Sequence, residues 1–434
     1  MKQEKTRRKK LARGVDVIGV GMSDLGMVTE TPSLLNMTTR ELWTWAAAEA
    51  IEDSGIPASE VEALFAGNMM SEYSEGQYHL GYILSQWTGL SLGNDAWKSA
   101  VRVDGACASS SHAIRQAVFA VASGAYDVVI AGGVELGNAQ WDWKAPGELK
   151  KMTNQERVSA LYGHYDQGWE LPNLSMLDHT LSQWLIAYAK RYGMSIDNLY
   201  EILDARVISN YENGALNPRT YWKKEISSIA KDAGFNSVQE FLRSPIQNPA
   251  TCWPMRKMDG PRRCDGAAAV VICASDISKY AKSKPVHYMG TGNAMQSSGS
   301  SRDMYTQPFI KEAGREAYEM AGISPEAVEV VELYDYGPAE YIIPLEDLGI
   351  FGRGQTSEAL LKGQTLYSGA RPINPSGGTS YGVAAGAVGG VCLAHIVKQI
   401  RGESGANQVK PIPKVGMVYD CGGGRDAVIH IVGG

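Results

Sequence analysis

The chain has no run of about 20 apolar residues, the length a bilayer core demands, so the sequence predicts no membrane-spanning helix. Its six cysteines stand singly along 434 residues, with no C-x-x-C pair. That spacing excludes the disulfide framework of a small secreted domain and the paired thiolates of a zinc ribbon. We therefore expect no metal site and reduced thiols in a cytoplasm. An excess of basic charge is also missing: 41 Lys and Arg face 47 Asp and Glu, a formal net charge of -6. This balance carries no electrostatic footprint for nucleic acid or an anionic membrane, which leaves a small molecule or another protein as the expected partner. Lys2, Lys5, Arg7, Arg8, Lys9, Lys10 and Arg13 do cluster at the start, but no apolar run of signal-peptide length follows before Val15. Residues 1–14 read as a disordered basic tail; a mitochondrial presequence is the competing reading, which Glu4 and the preference for lysine suit poorly.

What is present is a globular composition, 44% hydrophobic, in a chain long enough for two core-forming domains or one duplicated fold. Val15 to Val20 reads as a buried strand. Thr38 and Glu41 form a capping-box signature for a helix with an apolar face at Leu42, Trp45 and Ala46, stopped by Gly55 and Pro57. Strands at Val61–Ala66, Ala100–Val103, Asp127–Ala131 and Ala267–Cys273 follow, with a helix over Ala108–Ser123. The second half repeats the order: a strand at Val328–Leu333, a glycine-rich turn at Asn374–Gly378, a helix near Ala384–Ile400, and strands at Val415–Tyr419 and Ala427–Val432. Alternation of this kind predicts an α/β fold with a parallel-type sheet. Gln140 to Ala250 breaks the pattern, being helical and rich in Trp and Tyr, and reads as an inserted cap. The expected organisation is residues 15–139 and 251–280 as a first half, 140–250 as the cap, and 281–434 as a second half.

The run Val103-Asp104-Gly105-Ala106-Cys107-Ala108-Ser109-Ser110 places a thiol between a strand end and the first turn of a helix. Unpaired backbone N–H groups and the helix dipole would there stabilise a thiolate and lower its pKa, making a nucleophile near neutral pH. A lone cysteine in such a turn is as a rule a packed structural thiol; the surrounding segments argue otherwise. They include Val17-Ile18-Gly19-Val20-Gly21-Met22, Asp53-Ser54-Gly55-Ile56, Ala66-Gly67-Asn68-Met69, Ala131-Gly132-Gly133-Val134-Glu135 and Asn217-Pro218. Cys264-Asp265-Gly266-Ala267-Ala268-Ala269, Glu332-Leu333-Tyr334-Asp335, Asn374-Pro375-Ser376-Gly377-Gly378 and Cys421-Gly422-Gly423-Gly424 complete the series. In this order, over nearly the whole chain, they resemble thiolases, especially the sterol-carrier-type and archaeal branches.

The resemblance implies a duplicated five-layered α/β/α/β/α fold with a mainly helical inserted cap. It implies an acyl-CoA C-acyltransferase working through an acyl-Cys107 intermediate, with Cys421 as acid/base, coenzyme A as co-substrate and no bound cofactor. Asn374, Gly378 and Gly423 fall on the family's substrate-binding segments, Gly423 lending a backbone N–H to the thioester oxygen. Two positions depart from the pattern. Val383 stands where a Gly-His-Pro turn carries the family histidine, and Tyr334 takes the place of a His or Asn anchor. Three outcomes stay open: a site rebuilt around Tyr334, Cys421 and backbone N–H groups; a histidine such as His112 folding in; or a non-catalytic scaffold subunit. The two retained cysteines speak against the last.

The altered anchors bring the chain close to benzoylsuccinyl-CoA thiolases of anaerobic toluene breakdown, which would cleave 2-benzoylsuccinyl-CoA to benzoyl-CoA and succinyl-CoA. A condensing, C-acylating enzyme would use the same groups. The aromatic cap fits a ring-bearing acyl group, although Trp and Tyr in helices ordinarily serve packing. The resemblance further implies a homodimer core and a small companion with a zinc ribbon and an OB-like domain. Arg102, Lys257, Arg262 and Arg263 are candidate contacts for coenzyme A phosphates.

Overall fold

The computed structural model describes residues 10–89, 98–145, 147–165, 177–296 and 303–434. Most of the expected tail, residues 1–9, and Trp169 of the cap lie outside the described residues.

The first half opens with β1 (Val15–Met22), whose every residue is buried. The helix α1 (Thr39–Ser54) starts at the expected capping box, the Thr38 N–H donating to Glu41 Oε2 at 2.7 Å, and stops at Gly55 with φ 70°. Then come β2 (Ala63–Gly67), β3 (Ser99–Val103), α2 (Ser109–Ala122) and β4 (Val128–Glu135). The chain leaves the sheet for α3 (Asn154–Tyr162), α4 (Leu177–Arg191) and α5 (Ile196–Ala215), and returns in β5 (Gly266–Ala274). The second half runs β6 (Val286–Met295), α6 (Pro308–Ala321), β7 (Val330–Leu333), α7 (Pro338–Asp347), α8 (Val388–Arg401), β8 (Val415–Gly422) and β9 (Asp426–Gly433).

The strands lie in the order β7-β8-β9-β6-β1-β5-β4-β2-β3. Each half uses the same arrangement, β2-β4-β5-β1 being matched by β7-β8-β9-β6. The half-sheets pair with each other only where Asp16 and Val17 of β1 meet His287 and Val286 of β6. Elsewhere α2 and α8 lie between them, α8 packing on β8 and β7 and also on β5, β1 and β4. With α1 outside one half-sheet and α6 outside the other, the layers are α/β/α/β/α.

The expectation of a parallel-type sheet is corrected. Only β2–β3, β2–β4 and β7–β8 are parallel; the remaining pairs are antiparallel. The turn Gly423–Arg425 joining β8 to β9 is too short for a crossover, and β5 returns between β1 and β4 in the opposite sense. Among the described residues of the second half no strand equivalent to β3 forms; Ile373 makes a lone parallel bridge to Val331 in its place. Asn374–Gly378 is therefore the duplicated counterpart of the Cys107 turn.

The helices of the insertion share the main core. Leu181, Trp184, Leu185 and Tyr188 of α4 and Leu199, Ile202 and Leu203 of α5 belong to the cluster that contains β7, β8 and α7.

Duplication is visible also in how the outer helices seat. A methyl on Gly21 would lie 2.1 Å from the Ala46 carbonyl of α1, and one on Gly292 of β6 would lie 1.9 Å from the Ala313 carbonyl of α6. Both are G-x-G strands on which helix backbone rests directly. Gly21→Ala and Gly292→Ala should each cost ~1–3 kcal/mol of stability, read as a lower urea midpoint with unchanged slope.

Candidate active site

The nucleophile turn is built by local hydrogen bonds. The Ala106 N–H donates to Asp104 Oδ1 at 2.9 Å, the Gly105 N–H donates to Ser109 Oγ at 3.0 Å, and that hydroxyl donates to the Ala106 carbonyl at 2.6 Å. They hold Ala106 at φ 51°, a conformation that costs an L-residue, and present Cys107 just ahead of α2. Cys107 is 7% exposed and opens into a cavity of about 110 Å³. Met69, Met70, Leu161, Tyr165 and Val383 give it apolar walls; Arg157, Arg263, Tyr334, Tyr336, His164 and Asp178 supply the polar groups.

The expected lowering of the Cys107 pKa is corrected. Burial pushes it up to about 11, against the pull of a hydrogen bond from the Tyr334 hydroxyl and the positive field of Arg263. Desolvation outweighs the helix end because a thiolate at this buried position loses most of its hydration.

Tyr334 is held from behind. Its N–H donates to the Tyr419 carbonyl at 2.8 Å. Asp335 next to it is clamped by Arg206 of α5, which donates to the Asp335 carbonyl at 2.6 Å and to Oδ2 at 2.5 Å, both side chains fully buried. Asn210 and the Thr379 N–H complete that carboxylate's bonding at 2.6 and 2.8 Å. The insertion thus fixes Tyr334 and Tyr336, whose rings lie 6.1 Å apart. Val383 lines the cavity with an apolar side chain, its backbone bridged to Arg263. The Arg263 guanidinium donates to the Tyr336 hydroxyl and sits 5.6 Å over that ring. A cation therefore enters the pocket beside the position that lacks a histidine.

Of the expected residues, Cys107, Tyr334 and Gly423 line one cavity. Cys421 is fully buried in β8 and meets Tyr419 and Glu340 instead of the cavity surface; burial, then Glu340, drives its pKa well up. His112 does not reach the pocket: it lies under Gly105 with Nε2 2.5 Å from Asp426 Oδ2, because the first turns of α2 point it at the end of β9. Asn374 accepts from the Leu333 N–H at 2.7 Å and stays inside the fold, and Gly378 borders a separate, smaller cavity. Nor do the four phosphate candidates act together. Arg102 bonds the Asn68 carbonyl and Glu72, Arg262 bonds the Tyr211 hydroxyl, Lys257 is exposed, and only Arg263 enters the pocket. Of the described Trp and Tyr residues in the expected cap, Tyr165 alone lines it; Trp184, Tyr188 and Tyr211 are core. Sequence reasoning missed Arg157, Tyr336 and Glu340. Only Glu340 carried a signal, a lone carboxylate in the apolar run Pro338-Ala339-Glu340-Tyr341-Ile342-Ile343.

Residues 15–276 match the thiolase N-terminal domain family and residues 290–433 the thiolase C-terminal domain-like family. The chain belongs to the thiolase family. An acetyl-CoA acetyltransferase of Methanothermobacter thermautotrophicus is 30% identical to this thiolase over 427 residues, 96% of this chain and 99% of that one. The benzoylsuccinyl-CoA thiolase subunit BbsB of Thauera aromatica is 28% identical over 426 residues, 96% of each. Among solved structures, an Ltp2-ChsH2(DUF35) aldolase superposes with a TM-score of 0.74 at 20% identity over 98% of each chain, a likeness of fold. The thiolase is accordingly an acyltransferase acting on acyl-CoA.

With its thiol pKa near 11, Cys107 of the free thiolase should alkylate slowly at pH 7, the rate rising with pH as thiolate forms. Tyr334→Phe removes a hydrogen bond to sulfur worth ~1 kcal/mol, so alkylation by iodoacetamide at fixed pH should slow about fivefold further. An unchanged rate would show that the phenol does not hold the sulfur.

Proposed function

We propose that this thiolase cleaves a 3-oxoacyl-CoA by thiolysis through an acyl-Cys107 thioester, its substrate bearing a ring and a second carboxylate as 2-benzoylsuccinyl-CoA does. The observation that carries the substrate is the pair Arg157 and Arg263. Arg157 donates to the side-chain oxygens of Asn138, at 3.0 Å, and Asn154; Arg263 donates to the Tyr336 hydroxyl. Among the described residues neither forms an ion pair, and burial together with the field of Arg263 pushes the Arg157 pKa down. Among the described residues Asp178 is the one acid lining the same cavity. Two cations with one acid between them leave room for a substrate carboxylate, while Met69, Met70, Leu161 and Tyr165 suit an aromatic acyl group.

In this reading Cys107 Sγ attacks the ketone carbon, and the developing oxyanion is met by the Tyr334 hydroxyl and the Gly423 backbone. The carbon–carbon bond breaks and coenzyme A takes the acyl group from Cys107; Cys421 is the acid for the departing carbon, a role that requires its thiol to reach the cavity from its buried place in β8. The same groups serve condensation in reverse. We further propose a homodimer core and a small zinc-ribbon and OB-fold companion, in a reducing cytoplasm where all six cysteines remain free. Support for a companion comes from one relative being named a subunit and one fold neighbour being a two-protein complex.

Intact mass after exposure to aliphatic, aromatic and carboxylate-bearing acyl-CoAs tests the reading. An adduct on Cys107, absent in Cys107→Ala, is expected, and Arg157→Gln should lower acylation by 3-oxoacyl-CoAs whose departing half carries a carboxylate about tenfold relative to those whose departing half is neutral. If no donor acylates Cys107, with or without a companion protein, the chain is a scaffold subunit.

A further inference from the structure

Glu340 is the third residue of α7 and is fully buried. Among the described residues neither of its carboxyl oxygens meets a nitrogen or oxygen partner, and the hydroxyl of Tyr419 is in the same position. The group both act on electrostatically is the thiol of Cys421. Tyr419 and Cys421 share a face of β8, being two residues apart on a strand, and the first turn of α7 brings Glu340 to that face. Glu340 also acts on Cys107 and on Tyr334, which bonds Cys107. Among the described residues no arginine, lysine or backbone N–H compensates its charge, and burial pushes its pKa well up, which favours the neutral acid. A buried carboxylic acid whose charge acts on both cysteines is what a site without its histidine needs in order to store a proton.

We infer that Glu340 is the proton reservoir of Cys421, with Tyr419 positioning the sulfur between transfers. The inference rests on Cys421 being the acid of the proposed thiolysis. When Cys107, reacting through the minor thiolate fraction that its raised pKa leaves, forms its bond to the ketone carbon and the carbon–carbon bond breaks, the electron pair moves to the departing carbon, which takes the Cys421 proton. The Cys421 thiolate then takes the proton of the Glu340 carboxylic acid, leaving a carboxylate. As coenzyme A attacks the acyl-Cys107 thioester, its thiol proton passes through Cys421 to Glu340, and Cys107 departs as thiolate. The cycle closes with every proton returned.

The test follows exchange of the α-hydrogens of succinyl-CoA in D2O by the full-length protein, alongside acylation of Cys107. Exchange needs Cys421 and its reservoir; acylation needs Cys107. For Glu340→Gln we expect exchange to fall at least tenfold further than acylation does, with a flattened pH profile. A wild-type exchange rate and profile in E340Q overturns the reservoir. Should E340Q not fold, Glu340→Asp keeps an acid on a shorter arm, and its exchange profile should shift along the pH axis; an unmoved profile overturns the inference. Cys421→Ala exchanging as fast as wild type removes the acid role of Cys421 and the reservoir with it, whereas loss of the Cys107 adduct alone strikes the acyl-enzyme reading.

Discussion

The site depends on a contact between two glycines from different halves of the duplicated fold. A methyl on Gly422, at the end of β8, would lie 2.3 Å from the Gly105 carbonyl in the nucleophile turn. Backbone touches backbone there, and no side chain can intervene. The closeness is inherited from the middle layer. A methyl on Gly389 of α8 would lie 1.9 Å from Ser111 Oγ of α2, the Gly390 N–H donates to Ser110 Oγ at 3.1 Å, and Ser111 Oγ donates to Asp420 Oδ2 at 2.7 Å. Because packed interiors deform little, α2 and α8 crossing at this distance places the start of α2 against the end of β8 in one way only.

That packing also dries the site, and dryness governs its chemistry. Burial raises Asp420 to about 7 and Glu332 and Glu135 to about 8, although each accepts hydrogen bonds. Groups meant to stay fixed are fully bonded, as Asp335 is between Arg206, Asn210 and Thr379. Those left without such compensation, Arg157, Arg263 and Glu340, are the ones that face the cavity or the thiols. A polar or charged group left short of partners away from water costs stability, so a protein retains it where a substrate or a proton will complete it.

The sequence alone determined what short-range physics decides. The Thr38 and Glu41 capping box, the alternation of strand and helix, the internal repeat and the Cys107 turn each depend on residues a few positions apart, and the thiolase likeness followed from their order. Tertiary structure decided the rest. Strand direction came from how β5 and β9 return to the sheet, not from any local preference. The Cys107 pKa is set by Tyr334, Arg263, Glu340 and the removal of water, all supplied from more than 150 positions away along the chain. His112 and Asn374 look like site residues in one dimension, yet turn to Asp426 and Leu333 in three. Glu340 looks like nothing in one dimension, because a carboxylate reveals its purpose only through the partners it lacks. Periodicity reports which face of an element is buried; it carries no information about which distant charges share that burial.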